Sequence, residues 1–156
     1  MSTESGLKSR IQADITEALR SGDELLKSTL RMALAAIMNA EVAGAQATVL
    51  TDDQIINLLR SEVKKRAESA EIYTAAGRTE LATKETQEMA IIETYLPAAM
   101  DAAALASIVA QEVANAVANG QEGARAMGAV IKAVKERVGA QADGSAIAAA
   151  VKSALN

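Results

Sequence analysis

The side chains in this sequence that are best suited to binding chemistry are basic residues near its C-terminal end. They are Arg125, Lys132, Lys135, Arg137 and Lys152. Lys132 and Lys135 lie three residues apart, so an α-helix would project both from one face. Such a face can contact nucleic-acid phosphates, and four contacts would give a log–log salt slope of roughly −3. The alternative is an ordinary solvated helix face without a ligand.

A second basic run, Lys64-Lys65-Arg66, is interleaved with acidic residues. Glu62 and Glu68 lie three or four residues from these lysines, which is the spacing of surface ion pairs along a helix. We therefore predict a salt-bridged helix exterior for this run. A docking surface for another molecule is the alternative interpretation.

Arg31 differs from these residues because it lies among apolar residues, on a segment otherwise suited to burial. A buried guanidinium needs a carboxylate partner, since an unpaired charge away from water is costly. Glu62 and Glu93 could provide that carboxylate. We predict a structural ion pair that fixes the register of neighbouring helices.

Tyr73 and Tyr95 are the two aromatic residues of the chain. Each stands near the end of a predicted helix, where it can pack as the cap of a helical hairpin. The alternative is stacking on a nucleic-acid base, as in proteins that bind single strands. Two isolated tyrosines favour the packing role.

Residue types that carry catalysis near neutral pH are missing. The sequence contains neither His nor Cys, which excludes imidazole bases, thiol nucleophiles and the metal sites built from them. Glu80, Glu85, Glu88 and Glu93 follow one another, but a helical carboxylate metal site normally adds a His. We predict that these four form an acidic solvent face, and we assign no catalytic residue, metal or cofactor.

Composition predicts an all-α fold. Half of the 156 residues are apolar and 1% are aromatic, while Ala, the residue that most favours a helix, is abundant. The net charge of −4 means that any nucleic-acid role depends on a local basic patch. No apolar stretch approaches the ~18 residues of a membrane span. We therefore predict a cytoplasmic protein with no membrane partner.

The single proline, Pro97, divides the chain into two parts of different composition. Residues 1–97 carry 11 basic and 15 acidic residues, whereas residues 98–156 carry five of each. Four helices are predicted in the first part. The last two should form a long antiparallel hairpin that turns at Gly77. Three short helices are predicted in the second part, which would form a small C-terminal domain.

Four groups of residues resemble the GatB/YqeY family in type and order. They are Ser28-Thr29-Leu30-Arg31-Met32 with Asn39 and Glu41; Glu62-Val63-Lys64-Lys65-Arg66 with Tyr73 and Ala76-Gly77-Arg78; Tyr95-Leu96-Pro97; and Met127-Gly128 with Ala142-Asp143-Gly144. Together they span nearly the whole chain. The sequence is similar to the free-standing YqeY proteins, whose C-terminal part resembles the tail of the GatB subunit of tRNA-dependent amidotransferases.

This resemblance implies a function as well as a fold. The GatB tail helps to hold tRNA, so residues 98–156 are expected to contact tRNA as part of an accessory protein. An amidotransferase or an aminoacyl-tRNA-related protein is the further partner that it implies. The resemblance also adds Arg78 to the interaction candidates Arg31, Lys64, Lys65 and Arg66.

Two other functions stay open at this point. One is an amidotransferase-related enzyme, a carbon–nitrogen ligase with glutamine as the donor of the amide nitrogen. The other is a protein-interaction module that makes no RNA contact. Glutamine turnover by the purified chain would favour the enzyme, and salt-sensitive tRNA binding would exclude the module.

Overall fold

A computed structural model of the chain describes residues 6–156, and helices with short connections make up this range. Seven α-helices and one short 3-10 turn follow one another between residues 6 and 156, with no strand among them. The predicted all-α class is therefore confirmed. Within the same range no helix is both long enough and apolar enough to cross a bilayer.

The chain divides into two compact units, the first ending at Leu96 and the second spanning Pro97–Asn156. The first unit contains α1 (Gly6–Ser21), α2 (Glu24–Val42), α3 (Asp52–Ala75) and α4 (Thr79–Glu93). The second contains α5 (Ala102–Ala118), α6 (Gly123–Val138) and α7 (Gly144–Leu155), with the 3-10 turn at Gly139–Gln141 before α7.

Local signals in the sequence account for several helix ends. Thr51 and Gln54 form a capping box at the start of α3, where the Thr51 hydroxyl accepts from the Gln54 N–H at 3.2 Å. The Gln54 side chain accepts from the Thr51 N–H at 2.9 Å in return. Gly77 has a φ of 73°, which a residue with a side chain rarely adopts. The chain can therefore reverse there between α3 and α4.

Aliphatic side chains of large volume fill the core of the first unit. α3 packs along α4, α1 packs against α2, and α2 also contacts α4. The buried residues are Leu7, Ile11, Leu30, Ala33, Ile37, Ile55, Leu59, Ile92 and Tyr95. A single tyrosine stands among Ile and Leu, because the sequence offers no Phe or Trp.

Smaller side chains fill the core of the second unit, where α5, α6 and α7 pack against one another. The buried cluster consists of Leu105, Val109, Ala116, Val130, Val134, Val138, Ile147 and Val151. The Met100 N–H donates to the Gln141 carbonyl at 3.2 Å, which ties the segment before α5 to the 3-10 turn. Short side chains let these helices approach one another closely.

Candidate functional site

One side of α6 holds the second unit together and the other side faces outward. Ala126, Val130, Val134 and Val138 are buried and recur every four residues along its inner side. This spacing fixes the rotation of the helix about its axis. The opposite side is therefore free to contact another molecule.

Three of the predicted basic residues share that outward side of α6. Arg125, Lys132 and Lys135 are exposed, and their spacing of seven and three residues keeps them on one face. Among the ion pairs formed within residues 6–156, none involves any of the three. Glu136 is exposed on the same side, so this α6 basic face (Arg125, Lys132 and Lys135) also contains one carboxylate.

The end of the Lys135 side chain lies beside the first residue of α7. Its Cε and Nζ atoms are 3.9 Å from the position that a Cβ on Gly144 would occupy. The positive end of the α7 dipole is at the same place. Asp143 caps that helix by accepting from the Ala146 N–H at 2.7 Å, which offsets part of the positive potential.

Arg137 and Lys152 are placed differently from the α6 basic face. The Arg137 Nη1 donates to Gln111 Oε1 at 2.9 Å and to Glu112 Oε1 at 3.1 Å. Arg137 therefore links α6 to α5, and Glu112 balances its charge. Lys152 is exposed in the last turn of α7.

The second basic run is divided between the surface and the interior of the first unit. Lys64 and Lys65 are exposed, and Lys65 forms the expected surface pair with Glu62 at 3.2 Å. Arg66 is only 8% exposed. Its Nε lies 3.2 Å from a Glu88 carboxylate oxygen, and its Nη1 lies 2.9 Å from a Glu62 oxygen.

The predicted salt-bridged exterior is therefore wrong for Arg66, and the predicted solvent face is wrong for Glu88. Glu88 is 5% exposed because the contact between α3 and α4 places it opposite Arg66. Burial acts to raise the pKa of Glu62, but hydrogen bonds from Arg66 and Lys65 outweigh it and hold the pKa below its ordinary value. The charged form of Glu62 is therefore favoured beside Arg66.

Arg31 is exposed, contrary to the buried ion pair that we predicted for it. α2 turns Leu30 and Ala33 inward, which points the intervening Arg31 outward. Glu62, one of its two expected partners, pairs with Lys65 and Arg66 instead. The buried arginine of the first unit is therefore Arg66.

Tyr95 packs in the core, and its polar end meets α1. It is 8% exposed, its hydroxyl donates to the Asp14 carboxylate, and the Arg10 guanidinium lies 4.7 Å from the ring centroid. Burial raises the pKa of Tyr95, and the bond to Asp14 raises it further. This geometry leaves little of the ring open for a base.

The other two candidates of the first unit stand at the end of the α3–α4 pair. Tyr73 is half-buried near the end of α3. Arg78 is exposed at the start of α4 and borders an open depression with Gly77 and Leu81. Among the residues that the structure describes, neither Tyr73 nor Arg78 forms an ion pair, so both side chains can contact a partner.

Glu41 is a buried polar residue for which no structural role was predicted from the sequence. Its Oε2 accepts from Lys8 Nζ at 2.7 Å, and its Oε1 accepts from the Leu50 N–H at 3.3 Å. The bond from Lys8 lowers the pKa of Glu41, burial opposes this, and the Leu50 N–H lowers it further. Glu41 thereby holds α1, α2 and the segment before α3 together.

A spacing signal could have identified both buried carboxylates. Glu41 follows the buried residues Ala33 and Ile37 at intervals of four, and Glu88 precedes Ile92 by four. Each acidic residue thus lies on the apolar stripe of its own helix. Within residues 6–156, no three acidic side chains are grouped so that they could hold a metal ion.

A sequence model of the family described as Yqey-like protein matches residues 8–155. The protein named Altered inheritance of mitochondria protein 41, mitochondrial, from Vanderwaltozyma polyspora is 33% identical over 86 residues, which cover 55% of this chain and 46% of that protein.

Proteins with the same name from two other fungi are also similar. The one from Clavispora lusitaniae is 33% identical over 99 residues, covering 61% of this chain and 56% of that protein. The one from Pyrenophora tritici-repentis is 30% identical over 86 residues, covering 55% and 46%. The chain thus spans about half the length of the curated relatives that it matches.

Proposed function

Since the chain belongs to the Yqey-like protein family, we propose that it is an accessory protein without a catalytic site that binds structured RNA, foremost tRNA, through its second unit. The α6 basic face is the proposed contact surface. The resemblance of residues 98–156 to the tail of GatB supplies the class of ligand.

The observation that carries this proposal is the combination of three exposed, unpaired cations with a wholly apolar interior beneath them. Arg125, Lys132 and Lys135 have no structural partner within residues 6–156 that would explain their charge. Val130 and Val134 anchor the helix that presents them. The cations can therefore approach phosphates without breaking a contact that the fold needs.

The number of cations predicts weak binding that depends strongly on salt. Three phosphate contacts give a log–log slope of roughly −2 to −3, by about 0.7 to 0.9 per contact. Glu136 reduces the local potential. We expect Arg137 to contribute little, because Glu112 already neutralises it.

The first unit has a different proposed role. The predicted antiparallel hairpin of α3 and α4 would engage a protein partner, such as an amidotransferase or an aminoacyl-tRNA-related protein. Lys64, Lys65, Tyr73 and Arg78 are the candidates for that contact. The cytoplasmic location of this chain stays a prediction, and the relatives compared above are named as mitochondrial proteins.

A titration with labelled tRNA at two salt concentrations tests the RNA proposal. The wild type is compared with Lys132→Glu/Lys135→Glu and with Lys64→Glu/Lys65→Glu, which makes the same change of charge in the first unit. We expect at least a tenfold loss of affinity for the first variant only. We also expect its log–log slope to flatten by about 2. Equal affinities of the two variants, or no binding by the wild type, would overturn the proposal.

A further inference from the structure

The C-terminal end of α5 carries an Asn-Gly pair, Asn119-Gly120, which is the one such pair in the sequence. Asn119 is the C-cap of the helix, and both residues are exposed. Gly120 has a φ of 73°, and its N–H donates to the Val117 carbonyl at 2.9 Å. The Gln121 N–H donates to the Ala116 carbonyl at 3.0 Å. These two bonds form the Schellman pattern that ends many α-helices.

An asparagine that is followed by glycine can lose its side-chain amide through the main chain. The main-chain nitrogen of the glycine attacks Cγ of the asparagine, and a five-membered succinimide ring forms. Glycine has no side chain that would shield this nitrogen, and base must first remove the proton from it. Asn119 and Gly120 place the two reacting groups in adjacent residues, at a position that water and base can reach.

The backbone at the end of α5 holds these two groups apart. In the ring, the Gly120 nitrogen must eclipse Cβ of Asn119 about the Cα–C bond. At the Asn119 ψ of 8°, the Gly120 nitrogen eclipses the main-chain nitrogen of Asn119 instead. Rotation about that bond breaks the two hydrogen bonds that close the end of α5. The ends of helices open at a much smaller cost in free energy than their interiors, so this rotation is accessible in the folded protein.

Three other asparagines are protected from this reaction. Asn39, Asn57 and Asn115 lie within α2, α3 and α5, and the residues that follow them are Ala, Leu and Ala. Attack at these positions requires a helix to unwind, and the side chain of the next residue shields the nitrogen. Asn115 is the most useful comparison, because it is exposed and lies one turn before Asn119. The residue after it, Ala116, is buried in the core of the second unit.

We propose that Asn119 is a site of spontaneous deamidation and that opening of the end of α5 sets its rate. Base takes the proton of the Gly120 N–H, and the nitrogen forms a bond to Asn119 Cγ. The bond from Cγ to the side-chain nitrogen then breaks, and that nitrogen takes up a proton and leaves as ammonia. Water opens the ring at either carbonyl, which yields aspartate or isoaspartate at this position. The reaction consumes one water and releases one ammonia, with no oxidant or reductant.

Both products weaken the end of α5. Aspartate places a negative charge at the negative end of the helix dipole. Isoaspartate carries the main chain through its Cβ, and the extra atom displaces the N–H groups of Gly120 and Gln121 from the carbonyls that they reach. Ala116 provides one of these carbonyls and is buried. We therefore expect the loss of stability to extend into the core of the second unit.

Peptide mapping by mass spectrometry tests the position of the site. The full chain is incubated in mildly alkaline buffer, and fragmentation identifies the asparagine whose amide has been replaced by a carboxyl group. We expect this change at Asn119 at least about tenfold faster than at Asn115, with a rate that rises with pH. Asn115→Gln should leave the rate at Asn119 unchanged, whereas Asn119→Gln should remove the modification from this helix end. Equal rates at the two asparagines, or a modified helix end in Asn119→Gln, would overturn the proposal.

Unfolding the chain tests the control by the helix end. Breaking two hydrogen bonds of ordinary net strength slows the reaction roughly tenfold to a hundredfold. Guanidinium chloride should therefore accelerate deamidation at Asn119 by about that factor, and at Asn115 by more. The deamidated protein, separated by ion exchange through its added charge, should lose hydrogen-exchange protection in α5–α7 and not in α1–α4. The same rate at Asn119 with and without denaturant, or unchanged protection in α5–α7, would contradict the proposal.

Discussion

The two units of the molecule place their charged residues in opposite ways. The buried polar and charged residues among those that the structure describes are Thr29, Glu41, Arg66 and Glu88. All four belong to the first unit. The buried residues of the second unit are apolar, and its basic residues are exposed or, like Arg137, form surface ion pairs.

This difference distinguishes charged residues that hold helices together from charged residues that are exposed and available for binding. In the first unit, Arg66 meets carboxylates of α3 and α4 together, and such a pair can fix the register of two helices. In the second unit, the buried cluster that joins the helices consists of apolar side chains. Within residues 6–156, Arg125, Lys132 and Lys135 on the outside of α6 form no ion pair, and they are the cations that we propose to contact RNA.

Removing Glu88, the buried carboxylate that pairs with Arg66, should have the largest effect on stability. Glu88→Ala leaves Arg66 buried with Glu62 as its remaining partner, and breaking a buried pair costs about 3 kcal/mol or more. We expect this loss in urea unfolding followed by circular dichroism. Hydrogen exchange should show that the amides of α1–α4, and not those of α5–α7, lose protection.

Two further variants sharpen this test. Glu93→Ala removes an exposed carboxylate from the same helix and should change stability by less than about 0.5 kcal/mol. Arg66→Met/Glu88→Met removes both buried charges and should be more stable than Glu88→Ala. If Glu88→Ala were as stable as Glu93→Ala, the buried pair would not hold the first unit together.

A cavity created in the core of the second unit should cause the next largest loss of stability. Val134 is fully buried, and Val134→Ala removes two methyl groups from a core of small side chains, at a cost of about 2 kcal/mol. The matched control is Val117→Ala, since Val117 is 64% exposed. Hydrogen exchange should place the loss of protection in α5–α7. An equal loss in both units would contradict the division into two cooperative units.

Much of the backbone could be predicted from sequence because the signals are local. The capping box at Thr51 and Gln54 and the turn at Gly77 each depend on a few adjacent residues. The Arg66–Glu88 pair joins residues 22 positions apart, and no local pattern specifies which arginine meets which carboxylate. Arg31 was predicted to be buried and Arg66 to lie at the surface, and the rotations of α2 and α3 place them the other way round.

The pH dependence of the free energy of unfolding tests a smaller contribution to the stability of the first unit, that of Glu41. Its pKa lies below the ordinary value of 4.5, so its charged form stabilises the fold above that pH, and the contribution is lost as the pH falls below it. Glu41→Gln should cost about 1 kcal/mol near neutral pH. Urea unfolding at a series of pH values should show the gap to the wild type closing in acid. A gap that widens in acid would contradict this role.

Substitution of Thr29 should change the free energy of unfolding least, and it should raise that free energy where the other substitutions lower it. Its side chain is fully buried and its hydroxyl has no hydrogen-bond partner among the residues described. Thr29→Val replaces that hydroxyl with a methyl group of similar size and should stabilise the first unit by up to about 1 kcal/mol. The control is Thr83→Val, because Thr83 is exposed and its hydroxyl donates to the Thr79 carbonyl at 2.9 Å. Destabilisation by Thr29→Val in thermal unfolding would show that the hydroxyl is satisfied.

The central claim is that basic residues of α6, and not those of the first unit, contact RNA. The most direct test of this assignment is to map the RNA contact residue by residue. Amide signals of the isotopically labelled protein are followed by NMR as tRNA is added, because signals of contacting residues shift or broaden first. We predict that these changes centre on Arg125, Lys132 and Lys135, while those around Lys64 and Arg66 stay constant. Changes centred on α3 and α4 with none on α6 would contradict the assignment.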